Sequence, residues 1–455
     1  MYANRTLNLR GIKAIGYDMD YTLVHYRVQE WERAAFAHAC AVLTADGWPA
    51  SDLTFDPDSV TLGLTFDVEY GNLVKATRFG YVVRAEHGTR PLSHDELRET
   101  YASTVVDLAE PRFEFMNTLF SLSQASIYRQ LVDRLDQGEL PQPTGYRELF
   151  ATVGAALDLS HTAGALKAQI TADPERFVEP DPELALTLLD QRQAGKTLLL
   201  ATNSEWSYTD AMMSHALGRS LSAGTTWRDL FDFVIVEARK PAFFSGRQAC
   251  YEIVDPAAGL LRPHRGALRA GGLYAGGDAS FVESSLGISG SEILYVGDHL
   301  FGDVHVSKAM LRWRTALILR ELEGEIAANE AFAVSQEALI NLMDRKTEAD
   351  RQLAALRLAR MRATDTANGS ELTANIRRAV SRSHRLDQQI GTLARAASEL
   401  GNPHWGPLMR AGSDKSLFAR QVEKYADVYT SRVSNFLAET PFAYLRAART
   451  SLPHD

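Results

Sequence analysis

Cysteine is nearly missing: Cys40 and Cys250 are the only two in 455 residues, far apart and outside any CxxC or Cys/His spacing. That excludes a disulfide framework and a structural zinc site, and both read as small core residues. Long apolar runs are missing too. No stretch is long enough to cross a bilayer, and the opening "MYANRTLNLRG" lacks the apolar segment of a signal peptide. The expectation is a soluble, cytoplasmic protein with no membrane partner. Positive charge is in deficit, 48 Lys and Arg against 57 Asp and Glu for a formal net charge of −9. A global negative field repels phosphates, so no nucleic-acid partner is expected, and any phosphate chemistry must be done by a local site. Repeats and low-complexity tracts are also missing. What is present is 45% hydrophobic content, enough for a large core and more than one domain.

Short apolar runs stop abruptly at polar residues in "IKAIGYD" (12 to 18), "TLLLATNS" (197 to 204), "FDFVIVEARK" (231 to 240) and "EILYVGDH" (292 to 299). Such runs fit strands buried on both faces of a parallel sheet, which makes the class α/β. In open parallel sheets ligands bind beyond the carboxyl ends of the strands. Asp18 and Asp20, Thr202 to Ser204, Lys240 and Asp298 therefore converge on one crevice.

The chain between the first and second runs is too long for a crossover and reads as an inserted cap, helical in "HDELRETYASTVVDLAE" and in "PELALTLLDQRQAG". After about residue 330, apolar residues at helical spacing (Leu372, Ile376, Val380, then Leu386, Ile390, Leu393), interrupted at Gly369 and Ser370, predict an antiparallel helical hairpin. The segment 345 to 385 is basic, a solvated face or a subunit contact. The division is a core of 1–45 and 180–330, a cap of 46–179 and a C-terminal region of 331–455.

Asp18 and Asp20, one residue apart in "DMDYT", repel unless something compensates. A carboxylate can attack phosphorus to form an aspartyl-phosphate, which suits Asp18. Asp20 suits the acid that protonates the leaving oxygen and later takes a proton from water. A hard cation such as Mg²⁺, held by these carboxylates and Asp298, relieves the repulsion. Thr202 donates to the phosphate and Lys240 neutralises it. Each signal alone is commonplace; their joint order after separate strands points to phosphoryl transfer.

At these residues the chain resembles the haloacid dehalogenase superfamily, whose first motif is DxDxT. More closely, "DMDYTL", "ATNSEWSYTD", "ARKPAFF" and "YVGDHLFGDV", with "GLTFDVEYGNLVK" (63 to 75), "NTLFSL" (117 to 122), "LFARQVEKYADVY" (417 to 429) and "PFAYLRAARTSLPHD", resemble the cytosolic purine 5′-nucleotidases of the IMP/GMP type. The resemblance implies a Rossmann-like core with a large, mainly helical cap after the first strand and a C-terminal helical hairpin. It implies a homo-oligomer and Mg²⁺-dependent hydrolysis of purine nucleoside 5′-monophosphates, with phosphotransfer to nucleosides. Asp18 is then the nucleophile and Asp20 the acid/base, whose backbone carbonyl also meets the metal. Asp298 is a metal ligand, with Asp303 beside it. Thr202, Asn203, Ser204 and Lys240 hold the phosphate. Phe120 matches the base-stacking aromatic, and Asp158, His161 and Lys167 match the nucleotide-binding segment. Gly154 stands where purine-selective members carry arginine and Ser121 where they carry asparagine, so two base or ribose contacts are missing. The residues alone leave open a phosphatase of another metabolite, or a non-catalytic scaffold of the same fold.

Other motifs read as structural. His299 faces away from a continuing strand, "GGLYAGGDAS" (271 to 280) is a turn, and Trp31, Trp48, Trp206 and Trp227 are packing residues. Tyr21 packs beside the acids, and "HDELR" lacks a second His for a zinc motif.

Overall fold

The computed structural model describes residues 1–141, 144–162, 164–363 and 366–448, and for 161, 162 and 366–368 the backbone alone. Its centre is a 10-stranded sheet of β1 (Tyr2–Ala3), β2 (Ala14–Tyr17), β3 (Thr197–Ala201), β4 (Phe233–Val236), β5 (Cys250–Asp255), β6 (Leu260–His264), β7 (Gly272–Gly276), β8 (Ile293–Gly297), β9 (Arg314–Ile318) and β10 (Val428–Thr430). The order across the sheet is β1-β10-β9-β8-β2-β3-β4-β7-β5-β6. Strands from β10 through β7 run parallel; β1, and β5 with β6, close the two sides antiparallel. The class is α/β, as the apolar runs imply. β2 lies centrally between β3 and β8, and every residue of β2, β4 and β8 is buried, the signature of strands covered on both faces.

The four apolar runs account for β2, β3, β4 and β8; the other six strands of this sheet escape sequence reading, two of them against an explicit expectation. "GLYAG", expected as a turn, is β7, because pairing with β4 on one side and β5 on the other supplies the hydrogen bonds that its glycines do not advertise. Asp278 then caps the helix Ala279–Leu286. β10, in the region expected to be helical, returns to the central sheet beside β9.

The chain leaves the core at His25–Tyr26 and returns at Val178–Glu179, and these segments pair antiparallel, Tyr26 opposite Val178 and His25 opposite Glu179. Between them, helices outweigh strands: α1 (Val28–Ala45), α2 (Leu122–Asp136), α3 (Tyr146–Thr162) and shorter ones. The segment also holds a 5-stranded antiparallel sheet ordered Arg90–Pro91, Val82–His87, Asn72–Ala76, Thr65–Asp67, Phe113–Phe115. The helix expected in "HDELRETYASTVVDLAE" stops at Tyr101. A Ser93/Glu96 capping box starts it, but the β-branched Thr104, Val105 and Val106 disfavour continuing, and the Val106 N–H donates to Gly80 O instead. Helix α1, expected with the core, packs on α2 and α3.

One contact in that packing is electrostatically costly. Glu32 of α1 is 0% exposed and accepts from the N–H (2.9 Å) and hydroxyl of Ser123 in α2. Burial pushes its carboxyl up to about 8, against the Ser123 bonds that favour the anion. The fold therefore holds a proton that the unfolded chain releases near pH 4.5, so stability falls as pH rises from that value toward 8. Relative to Glu32→Gln, the parent is expected to lose ~2 kcal/mol more between pH 5 and 7, from the span of the shift. Urea unfolding at the two pH values reads this; parallel profiles for the two proteins would contradict it.

The C-terminal hairpin comprises α4 (Leu322–Arg362) and α5 (Thr366–Ser398). Its break lies at Ala363, which is extended (φ −71°, ψ 121°), rather than at Gly369 and Ser370, which are inside α5. A Cβ on Gly369 would meet the Arg360 guanidinium only at an ordinary contact distance of 3.4 Å, and the glycine is carried within the helix instead of ending it. No described helix is long and apolar enough to cross a membrane.

Candidate active site

β2, β3, β4 and β8 end side by side, and the residues after each line one cavity of about 590 Å³. After β2, the Asp18 N–H still donates to Val296 O of β8 (2.9 Å), so its backbone is fixed by the last rung of the ladder, and its Oδ1 accepts from Met19 N–H (2.7 Å). The chain then coils tightly: the N–H groups of Thr22, Leu23 and Val24 all converge on Met19 O, and Tyr21 takes a left-handed φ of 55°. This turn brings Asp20 to the same cavity. After β3, Ala238 N–H donates to Thr202 O, and Asn203 and Lys240 bond reciprocally, Asn203 Nδ2 to Lys240 O (3.1 Å) and Lys240 N–H to Asn203 Oδ1 (2.6 Å). The loop after β4 is thereby clamped to the loop after β3. After β8 comes a single π-turn, Leu300–His305, capped by His299, whose Nδ1 accepts from Gly302 N–H (2.7 Å). Such turns recur at functional sites.

The buried Lys240 ammonium lies 2.7 Å from Asp18 Oδ1 and 2.9 Å from Asp303 Oδ1, with Tyr295 Oη at 3.2 Å. Burial opposes its charge, but the carboxylates of Asp18 and Asp303 hold it well above the ordinary lysine value. Gly297 is required here, because a Cβ would stand 2.5 Å from Asp303 Oδ2. Carboxylate oxygens of Asp18, Asp298 and Asp303 all lie within 4.8 Å of one another. Burial raises Asp298 well above the carboxylate range, and Asp18 and Asp303 push it further; burial likewise raises Asp18, opposed by Lys240. Three acids share one ammonium, so ionising all three would leave negative charge uncompensated in a poorly hydrated place. An all-oxygen, anionic donor set of this kind fits a hard divalent cation.

The expected residues are not all equally placed. Asp18, Asp20, Asn203, Ser204, Lys240, Asp298 and Asp303 line the cavity, as do Phe120 and Lys167 from the inserted segment. Thr202 is fully buried beneath them, its Oγ1 accepting from Ser204 N–H (3.1 Å). Asp158 is exposed on α3 and is not among the lining residues; the His161 side chain lies outside the described residues. Beside Gly154, the space a side chain would take is met by Gln124, whose Nε2 is 3.1 Å from an added Cβ.

Sequence reasoning missed several wall residues. Trp31, read as packing, lines the cavity with its ring 5.0 Å from that of Phe120. Tyr208 lies under Lys167 Nζ at 5.0 Å, and Lys167 pairs with Glu205 at 2.5 Å. Only the proximity of Glu205 and Tyr208 to "TNS" could have hinted at them; Trp31 carried no signal.

Comparison with known proteins gives the same direction. The model of the 5′ nucleotidase family matches residues 1–455. The chain belongs to the 5′ nucleotidase family. A 5′-nucleotidase domain-containing protein of Dictyostelium discoideum is 25% identical over 471 residues, covering 100% of this chain and 74% of the relative. Human 5′-nucleotidase domain-containing protein 2 is 27% identical over 477 residues, covering 100% of this chain and 85% of its own. Among solved structures, CbbY from Rhodobacter sphaeroides in complex with phosphate is similar at 14% identity and a TM-score of 0.27, over 68% of this chain and 86% of that one. This 5′ nucleotidase family member is a phosphoric monoester hydrolase of the 5′-nucleotidase type.

Proposed function

We propose that the protein hydrolyses nucleoside 5′-monophosphates to nucleoside and phosphate, dependent on Mg²⁺, through an aspartyl-phosphate on Asp18. The observation that carries the reading is the convergence of Asp18, Asp20, Lys240, Asp298 and Asp303 with the rings of Trp31, Phe120 and Tyr208 in one cavity. The charged groups suit a phosphate and the aromatic rings a base, and the volume is in the range of small-ligand sites.

Asp18 forms a bond to phosphorus as the bond from phosphorus to the 5′ oxygen breaks. Asp20 gives that oxygen its proton, and the nucleoside leaves. Asp20 then takes a proton from water, whose oxygen attacks phosphorus and breaks the acyl-phosphate bond, restoring Asp18. Lys240 offsets charge on the phosphoryl oxygens, assisted by Asn203 and Ser204, while Thr202 supports their loop from beneath. Asp18 and Asp298, with the Asp20 carbonyl, would hold Mg²⁺, with Asp303 beside it; when bound, the ion supplies positive charge against phosphate and acids alike. A nucleoside hydroxyl can replace water as acceptor, which would give phosphotransfer.

A panel of IMP, GMP, AMP, pyrimidine nucleotides and sugar phosphates, scored for released phosphate with Mg²⁺ and with chelator, tests this. Nucleotides are expected to be turned over with Mg²⁺ and not with chelator. IMP and GMP should lie within about tenfold of AMP, because Gly154 offers no guanidinium fork and Gln124 takes its space, leaving mainly stacking to discriminate. Turnover of sugar phosphates with no nucleotide activity would refute the reading.

A further inference from the structure

The two oxygens of Asp20 have different neighbours. Oδ1 accepts from Tyr26 Oη at 2.6 Å, and Tyr26 Oη lies 2.9 Å from Tyr208 Oη. Oδ2 accepts from Ser204 Oγ at 2.9 Å. Tyr26 is 2% exposed and is not a wall residue, whereas Asp20, Ser204 and Tyr208 line the cavity. Oδ1 is therefore anchored to the buried side, and Oδ2 faces the hydroxyl at the cavity wall. A phenol carries one proton; Tyr26 gives its own to Asp20, so Tyr208 must donate to Tyr26. Burial keeps both phenols protonated, with the charge of Asp20 adding to it. The Tyr26 ring is itself wedged against Tyr21 at 5.1 Å and Trp31 at 6.2 Å, so its hydroxyl has little freedom to move.

Resting on the proposed hydrolysis, we infer that Tyr26, backed by Tyr208, is the positioning residue of the acid/base: it fixes Oδ1 so that Oδ2 of Asp20 is the oxygen that exchanges the proton with the substrate. Ser204 holds Oδ2 in the free enzyme and yields it when the leaving oxygen arrives. The carboxylate can pivot about χ2 without an anchor, since that torsion is broad. General acid catalysis depends on geometry within hydrogen-bond reach, and the Tyr26 bond removes the pivot. Tyr26 also sits in the ribbon by which the chain enters the inserted segment, opposite Val178, so the anchor is held by backbone pairing as well as by packing.

The test is first-turnover kinetics on two esters, a nucleoside 5′-monophosphate, whose alkoxide leaving group needs a proton, and p-nitrophenyl phosphate, whose phenolate does not. Tyr26→Phe keeps the ring. It is expected to lower kcat on the nucleotide about tenfold, a part of the roughly 10²- to 10⁴-fold that a general acid supplies. KM and the p-nitrophenolate burst should stay within about twofold. Tyr208→Phe, which keeps the ring that lines the cavity, should act in the same direction more weakly, and the double variant should be no worse than Tyr26→Phe, because the Tyr208 hydroxyl reaches Asp20 only through that of Tyr26. Equal loss on both esters, or no loss on either, overturns the assignment. Asp20→Asn separates it from the reading beneath: the same split, larger, is expected there. If Asp20→Asn shows the split and Tyr26→Phe does not, the positioning role alone fails; if Asp20→Asn shows none, the acid/base role of Asp20 fails with it.

Discussion

Asp18→Asn is expected to abolish turnover while leaving the protein at least as stable as its parent. An amide oxygen cannot form the acyl-phosphate, so kcat on any accepted phosphate ester should fall roughly 10⁴-fold or more, ~5 kcal/mol of barrier or above. The stability half of the expectation follows from the charges. Asp18 lies within 4.8 Å of Asp298 and Asp303, and burial raises its carboxyl above the ordinary range despite Lys240. A carboxyl raised in the fold is penalised once it ionises, so the deficit grows as pH rises past the usual carboxylate range and is fully present near neutrality. The neutral amide removes the deficit, keeps the volume, and leaves Lys240 its bond to Asp303. Phosphate release and thermal unfolding at neutral pH in chelator read the two halves. A variant that turned over normally would refute the covalent mechanism, and one that melted well below the parent would refute the account of the charges.

Lys240→Met should give the opposite pairing, loss of activity with loss of stability. Three carboxylates would then share a buried site with no protein cation, and breaking a buried pair by removing one partner costs about 3–5 kcal/mol. Turnover should fall on the order of 10²- to 10³-fold, the scale of losing one preorganised electrostatic contact in an enclosed site. Mg²⁺ should recover part of the stability, because an ion bound only by the folded state replaces some of the missing charge, but little of the activity. Lys240→Arg is not expected to rescue either property. The ammonium sits 2.7, 2.9 and 3.2 Å from three different oxygens, a point-charge arrangement that a planar fork does not fit. Urea midpoints with chelator and with Mg²⁺, beside phosphate release, decide the matter; an unchanged midpoint in chelator would mean that the three acids do not depend on Lys240.

Asp18, Asp20, Asn203, Ser204, Lys240 and Asp298 were legible in the sequence because each follows an apolar strand within a few residues, and the β-sheet rule places such residues at one end. The α/β class was legible for the same reason, from β2, β3, β4 and β8. β7 was not, since "GLYAG" reads as a turn until β4 and β5 flank it, and β10 was not, since its partner β9 ends at Ile318, far away in sequence. The break between α4 and α5 was displaced because a glycine in a long helical pattern lowers helix propensity by only about 1 kcal/mol, which the pairing of the two helices overrides, so Gly369 stays inside α5.

By itself the sequence determined which groups are candidates for the chemistry, because side-chain type and distance from a strand end are local properties. Only the tertiary structure decided how those groups are held. The Tyr26 to Tyr208 bond spans 182 positions, and the contact of Trp31 with Phe120 joins α1 to the turn before α2. The Lys240 bridge joins the loop after β4 to acids after β2 and β8. Such contacts depend on how strands are ordered in the sheet and on where the inserted segment folds back. Those are outcomes of long-range pairing and burial, which no local pattern of residues encodes.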